Sequence, residues 1–202
     1  MATTPAERRE SLVSVFREAQ SCTRCSLSDS RTQVVFGSGN ADADLLFVGE
    51  APGAEEDRLG VPFVGRSGNL LTTMLAEVGI AREDVFIANT LKCRPPDNRD
   101  PLPSEIETCR PWLAEQIRLI EPRVVATLGN FATKLLREDP AGITKVHGVP
   151  VERRLGDRTV TLFPLFHPAA ALRSTSVADL MRRDIAALAR LLDRPEDPGV
   201  VE

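Results

Sequence analysis

The run Leu45-Leu46-Phe47-Val48, which leads into the loop Gly49-Glu50-Ala51-Pro52-Gly53, decides the fold class. Four consecutive large apolar residues are typical of a short strand that is buried on both faces. The glycines and proline that follow predict a turn at the end of this strand. Three similar runs lie further along the chain, at Val85–Ala88, Val124–Leu128 and Val160–Phe163.

Helical patterns lie before, between and after these apolar runs. They cover residues 5–20, 70–78, 104–117, 130–137 and 177–188. Ser104 and Glu107 predict a capping box that opens the third of these helices. Strands that alternate with helices imply parallel pairing and right-handed crossovers. We therefore predict an α/β fold, a three-layer α/β/α sandwich on a central four-stranded parallel sheet.

The length and composition suit one soluble domain. The chain has 202 residues, of which 42% are hydrophobic, and this length leaves little room for two domains. We place the domain at residues 1–192 and expect residues 193–202, which are rich in proline and acid, to form a flexible tail. The expected domain includes an N-terminal segment that carries two of the four cysteines.

Charge and hydropathy limit the partners. No run approaches the ~20 apolar residues of a membrane span, and the polar N-terminus lacks the apolar core of a secretory signal. We therefore expect a cytoplasmic monomer without a membrane partner. The net charge is −4, so a surface that binds nucleic acid must be a local basic patch.

Polar residues follow three of the four predicted strands. Glu50 follows the first strand, Asn89 the second, and His167 the fourth. Taken singly, a Gly/Pro loop is most often a turn, an Asn a cap and a lone His structural. However, ligands of parallel α/β sheets bind outside the carboxyl ends of the strands. The shared placement of the three residues therefore predicts a functional site at this edge.

The loop after the first strand contains an aromatic residue among glycines and prolines. In the sequence Gly60-Val61-Pro62-Phe63-Val64-Gly65, Phe63 either anchors the loop in the core or presents a stacking surface. Neither a Walker motif nor a G-x-G-x-x-G pattern occurs in the chain. We therefore do not interpret this loop as a nucleotide-phosphate loop.

The four cysteines have the spacing of metal ligands rather than of disulfides. Cys22 and Cys25 form a C-x-x-C pair, and Cys93 and Cys109 follow much later. In a reducing compartment such a set is rarely two disulfides. Four thiolates suit zinc or an iron–sulfur cluster, and the cysteines alone leave both open.

Three long motifs resemble the family 4 uracil-DNA glycosylases. They are VGEAPGAEEDRLGVPFVGRSGNLL, NTLKCRPPDNRDPLPSEIETCRPWL and FHPAAALR. Together with the CTRC pair, the resemblance extends from about residue 20 to about residue 190. It implies an enzyme that flips uracil out of DNA and hydrolyses its N-glycosidic bond at the start of base-excision repair.

The resemblance also implies a role for individual residues. Phe63 would stack on the uracil, Asn89 would read its Watson–Crick edge, and His167 would act catalytically at O2. Glu50, the second catalytic residue, would line the pocket with the backbone from Ala51 to Gly53. Ala51 stands where the sister family with the GQDPYH motif has an Asp that orients water. Glu50 and the cationic character of the sugar would then share this work.

The same resemblance implies the cofactor, whereas the DNA surface is predicted from the residues themselves. The four cysteines would ligate a [4Fe-4S] cluster that braces the segment behind Asn89. Leu172 and Arg173 would enter the DNA duplex, because a side chain that fills the vacated base position favours flipping. Candidates for phosphate contacts are Arg94, Arg99, Arg110, Lys145, Arg173 and Arg182.

Three other readings compete with this one. A non-catalytic iron–sulfur protein that binds nucleic acid would need the cysteines and arginines, but not Glu50, Asn89 and His167 together. A related group that becomes covalently trapped on DNA carries an inserted basic loop with a reactive His, whereas residues 92–100 are short and lack His. A redox enzyme would need a flavin or nicotinamide motif, which the sequence does not contain.

Overall fold

The structure is a computed structural model that describes residues 4–193. Residues 194–202, most of the predicted tail, lie outside the described residues. The helices are α1 (Pro5–Gln20), α2 (Leu27–Ser30), α3 (Ala54–Leu59), α4 (Arg66–Ala76), α5 (Pro103–Ile120), α6 (Asn130–Arg137), α7 (Ile143–Val146), α8 (Pro168–Ala171) and α9 (Thr175–Leu192). The strands are β1 (Ser38–Gly39), β2 (Leu45–Gly49), β3 (Phe86–Asn89), β4 (Val124–Leu128), β5 (Val151–Leu155) and β6 (Arg158–Leu165).

Within residues 4–193 the strands form one six-stranded sheet in the order β1-β3-β2-β4-β6-β5. The four predicted strands are β3, β2, β4 and β6, and their neighbouring pairs are parallel. The edge strands β1 and β5 pair antiparallel with β3 and β6. The four predicted strands are thus parallel neighbours, but the central four-stranded parallel sheet is not confirmed as predicted, because the whole sheet is mixed and has two more strands.

The two edge strands lack the continuous apolar run that marks a strand buried on both faces. Strand β1 has only two residues, Ser38 and Gly39. Strand β5 reads VERRL and is half-exposed along its length, as expected for an edge strand with charged side chains. Strand β5 reaches β6 through a tight turn at Gly156, whose φ of +62° is left-handed.

The sheet separates two hydrophobic cores, because successive side chains of a strand point to opposite faces. In β2, Leu46 and Val48 pack with residues of α1 and α5, whereas Leu45 and Phe47 pack with residues of α4 and α9. This arrangement forms the three layers. Across the described residues, no helix combines the length and the apolar composition needed to cross a bilayer.

The predicted helices are present, with one correction at the start of α5. The helix begins at Pro103, and the main-chain N–H of Leu102 donates to Glu105 Oε2 at 2.8 Å. Ser104 lies inside the first turn, so the predicted capping box of Ser104 and Glu107 was wrong. The buried Glu105 carboxylate also accepts two hydrogen bonds from the Arg99 guanidinium, at 2.6 and 2.9 Å.

Candidate active site

A pocket of about 310 Å³ opens at the carboxyl edge of the parallel strands. Its lining includes five of the residues predicted from the sequence: Ala51, Gly53, Phe63, Asn89 and His167. It also includes four that the sequence analysis did not single out: Glu56, Ser67, Asn98 and Ala169. The pocket thus joins the loop after β2, the end of β3 and the segment after β6, as the strand-end rule predicts.

Glu50 does not line this pocket. It lies in an adjoining open groove together with Asp100, Asn130, Lys134 and other residues, and His167 borders both spaces. Burial raises the pKa of the Glu50 carboxyl, and the negative charge of Asp100 raises it further. His167 therefore borders both the pocket and a groove that contains the acidic residues Glu50 and Asp100.

Asn89 is the last residue of β3, and its side chain is buried, with 2% of the residue exposed. Its Oδ1 atom has no hydrogen-bond partner among the described residues. A buried polar atom without a partner costs about 1–3 kcal/mol, so native proteins rarely keep one without a reason. The arrangement is that of a site in which a ligand supplies the missing donor.

Glycines allow Asn89 and Phe63 to meet. A Cβ at Gly49 would lie 2.8 Å from Phe63 Cζ and closer still to Asn89 Oδ1. A Cβ at Gly68, in α4, would collide with the main chain of Phe63. Any larger residue at either position would push the aromatic ring or the amide out of place.

The loop that carries Phe63 is held in an uncommon conformation. Phe63 has a φ of +51°, in the left-handed region, which is rare for a bulky residue and costs energy. Glu56 fastens the residues that follow, because its Oε1 accepts from the N–H groups of Val64 at 3.1 Å and Gly65 at 3.2 Å. The Phe63 ring lies 5.7 Å from the His167 ring, between centroids.

The geometry of His167 fixes its tautomer. Its Nδ1 accepts a hydrogen bond from the N–H of Ala169 at 3.1 Å. Burial lowers the pKa of His167, which keeps the ring neutral at pH 7. A neutral imidazole that accepts at Nδ1 carries its proton on Nε2. His167 is therefore a neutral hydrogen-bond donor.

All four cysteines line one small cavity on the α1–α5 side of the sheet, and each is a free thiol. Two donors point at the sulfurs: the main-chain N–H of Lys92 lies 3.3 Å from Cys109 Sγ, and Arg31 Nη1 lies 3.4 Å from Cys93 Sγ. Burial raises the pKa of the Cys93 thiol to about 11. The Cys93 thiol therefore needs a metal to displace its proton at neutral pH.

The four thiols have the chemistry of either a zinc site or an iron–sulfur cluster. In the part of the chain that the structure describes, no three His, Cys, Asp or Glu side chains are grouped so that they could hold a metal ion. The four thiols with their N–H donors match the ligand chemistry of an iron–sulfur cluster.

The predicted DNA-contacting residues lie outside the pocket. Leu172 is 40% exposed directly after α8, and Arg173 beside it is exposed. Of the candidates for phosphate contacts, Lys145 is also exposed. The others have intramolecular partners: Arg94 with Asn98, Arg99 with Glu105, Arg110 with Glu107, and Arg182 with Glu77.

Comparison with known proteins finds extensive similarity. Residues 36–189 match the family model described as the uracil DNA glycosylase superfamily. The chain is 41% identical to the type-4 uracil-DNA glycosylase of Archaeoglobus fulgidus, covering 93% of this chain and 96% of that protein. It is 46% identical to the type-4 enzyme of Thermotoga maritima over 83% and 87% of the two chains. A type-5 uracil-DNA glycosylase of Pyrobaculum aerophilum is 28% identical over 73% and 74%.

Proposed function

The chain belongs to the type-4 group of the uracil-DNA glycosylase superfamily, and on this premise we propose that it excises uracil from DNA by hydrolysing the N-glycosidic bond. The observation that carries the proposal is Asn89 Oδ1, which is buried in the pocket without a partner among the described residues. Non-catalytic binding of nucleic acid would explain neither this atom nor the neutral donor at His167.

The Asn89 amide has the pattern that uracil requires. Its Oδ1 can accept from uracil N3–H while its Nδ2 donates to O4. Cytosine presents an acceptor at N3 and a donor at N4, so both contacts would be mispaired. Because mispaired buried polar groups are costly, the pocket discriminates against cytosine.

A base inside a duplex cannot reach this pocket, so it must leave the stack. Once flipped out, it regains stacking on the face of Phe63, which the loop holds beside Asn89 and His167. Leu172 and Arg173 are proposed to enter the duplex at the vacated position.

His167 supplies the hydrogen bond that the leaving group needs. As the N1–C1′ bond breaks, its electron pair departs with the uracil, and negative charge grows on O2 while positive charge grows on the sugar. The proton on His167 Nε2 can donate to O2, and such a donor is worth ~3–4 kcal/mol if it resembles an oxyanion-hole donor. A water oxygen bonds to C1′, and a proton from that water balances the charge on uracil.

The carboxylate of Glu50 is proposed to act from the groove side of His167. Ala51 carries no acidic group, so the acidic residue of the loop Glu50–Gly53 is Glu50, which lies in the groove that His167 borders. A carboxylate at this position would stabilise the cationic sugar and orient the attacking water. The two catalytic residues therefore act from neighbouring spaces, His167 on the base and Glu50 on the sugar.

Cys22, Cys25, Cys93 and Cys109 are proposed to hold a [4Fe-4S] cluster that fastens the N-terminal segment to the chain behind Asn89. Such a cluster braces the fold when bound, and no step of the hydrolysis uses it. Freshly purified protein is expected to be brown and to contain about four iron and four sulfide per chain. Colourless protein with one zinc per chain would refute this assignment.

Substitution of Gly49 tests the construction of the pocket. Gly49→Ala is expected to slow uracil excision by roughly 100-fold, because its Cβ would displace both Phe63 and Asn89, and misplacement by about 1 Å is this costly. Gly79→Ala is the matched control, since a Cβ there meets nothing within 4 Å. Because Gly79 has a left-handed φ, Gly79→Ala should lower the stability of the fold without changing the pocket. Equal excision rates for the two variants would contradict the role of Gly49.

The proposed function is tested with three oligonucleotides that differ only in one base: uracil, cytosine or thymine. Each is incubated with the cluster-bearing protein and then treated with alkali, which cleaves at abasic sites. Cleavage is expected for uracil alone. Equal cleavage of the cytosine substrate would contradict the role assigned to Asn89, and cleavage of none would refute glycosylase activity.

A further inference from the structure

Lys92 is a charged residue inside the protein core, and neither the pocket nor the cysteine ligands account for it. Only 1% of this residue is exposed. Burial of an ammonium group is expensive unless strong partners compensate for the lost water. Its Nζ has two such partners, the carbonyl oxygen of Asn89 at 2.7 Å and Gln116 Oε1 at 2.6 Å.

The contact between the Lys92 ammonium and the Asn89 carbonyl takes the place of a hydrogen bond from the neighbouring strand β1. The N–H of Thr90 donates to the carbonyl of Gly49 in β2, so the carbonyl of Asn89 points to the other side, towards β1. Strand β1 is antiparallel to β3 and pairs with it only at Phe86 and Ile87; because β1 begins at Ser38, opposite Ile87, it does not extend to Asn89. The Lys92 ammonium supplies the donor to the Asn89 carbonyl instead.

Lys92 is also tied to the cysteine cavity and to α5. Its main-chain N–H donates to Cys109 Sγ, and its main-chain carbonyl accepts from the N–H of Val35 at 2.8 Å. Gln116 is itself anchored, because its Nε2 donates to the carbonyl of Phe36 at 2.8 Å. The main chain of Lys92 is thus held by Cys109 and Val35 independently of Gln116, and the ammonium connects this segment to the carbonyl of Asn89.

We propose that Lys92 is a positioning residue that fixes the main chain of Asn89 from behind and thereby aims its amide at the base. This inference rests on the proposed function and deepens it. The competing role is structural: Lys92 would merely fill the core or balance the charge of the cysteine site. The two roles differ in whether a loss of uracil recognition exceeds the loss of stability.

Two substitutions to methionine separate these roles in the cluster-bearing protein. Lys92→Met and Gln116→Met both break the hydrogen bond between Lys92 and Gln116, and both should lower the unfolding temperature. Only Lys92→Met leaves the Asn89 carbonyl without its donor. We expect Lys92→Met to slow single-turnover uracil excision by roughly 30-fold or more, and Gln116→Met to stay within about threefold of the wild type.

Binding of free uracil, followed by NMR, gives a second readout that does not require catalysis. Lys92→Met should weaken this binding by a similar factor at wild-type iron content, whereas Gln116→Met should not. If Lys92→Met loses iron, the double variant Lys92→Met/Gln116→Met tests the positioning role instead. Replacing both polar partners by apolar groups restores much of the lost stability. The double variant should hold its cluster and remain slow.

Wild-type rates and uracil binding in Lys92→Met or in the double variant would overturn the proposal. Equal losses in Lys92→Met and Gln116→Met would also overturn it, in favour of the structural role. The wild-type protein in the same assay distinguishes a failure of the Lys92 proposal from a failure of the proposed glycosylase function. If the wild type itself releases no uracil, glycosylase activity is refuted, and the uracil-binding comparison still tests Lys92.

Discussion

His167→Ala is expected to slow single-turnover uracil excision by roughly 100-fold or more. The hydrogen bond from Nε2 to O2 is stronger when the base carries negative charge, so its loss raises the barrier more than it weakens binding. The affinity for uracil-containing DNA should therefore change by only a few-fold. The rate is measured with enzyme in excess, so that product release does not limit it.

The other histidine provides the control for this variant. His147 Nδ1 lies 2.7 Å from Asp184 Oδ2, and its ring packs on Phe166 with centroids 4.5 Å apart. His147→Ala thus removes a partly buried imidazole outside the pocket and should cost stability with little effect on the excision rate. A folded, cluster-bearing His167→Ala that excises uracil at the wild-type rate would show that His167 only packs the edge of the sheet.

Asn89→Asp is expected to have the largest effect, a loss of roughly 1,000-fold or more in the excision of uracil. The carboxylate can accept from uracil N3–H, but it has no donor for O4 and brings a negative charge against that oxygen. A buried charged oxygen that faces an acceptor instead of a donor costs more than the ~1–3 kcal/mol of an unpaired neutral group, and about 4 kcal/mol corresponds to 1,000-fold. Single-turnover rates on uracil and cytosine substrates measure the loss of uracil excision and any gain of cytosine excision.

Asn40→Asp controls for the added charge, because Asn40 is an exposed residue that does not line the pocket, and its Oδ1 accepts from the N–H of Asp42. An aspartate there retains the acceptor and should leave the rate unchanged. If Asn89→Asp excises uracil as fast as Asn40→Asp, then Asn89 does not read the base.

The sequence predicted the central strands and the meeting of Asn89 with His167 because both follow from local patterns. A run of buried apolar residues identifies a strand, and parallel strands place their carboxyl ends at one edge. The edge strands were missed for the same reason, since neither Ser38–Gly39 nor Val151–Leu155 has such a run.

The contributions of Glu56, Asn98 and Lys92 could not be predicted because they depend on tertiary contacts. Glu56 looks like an ordinary acidic residue of α3, yet it binds the loop that carries Phe63. Asn98 reaches the pocket with a left-handed φ of +53°. One local feature did point to Lys92, because it is the one charged residue in the stretch from Val85 to Cys93, all of which is buried. The separation of Glu50 from the pocket is likewise a matter of three-dimensional position.

The most direct measurement of the central claim is a mass balance of the reaction. DNA with a single uracil is incubated with the cluster-bearing protein, and the free base and the abasic strand are quantified by mass spectrometry before any alkali treatment. We predict one free uracil for each abasic strand, with the phosphodiester backbone intact. Absence of free uracil, or equal release of cytosine from the matched substrate, would contradict the account.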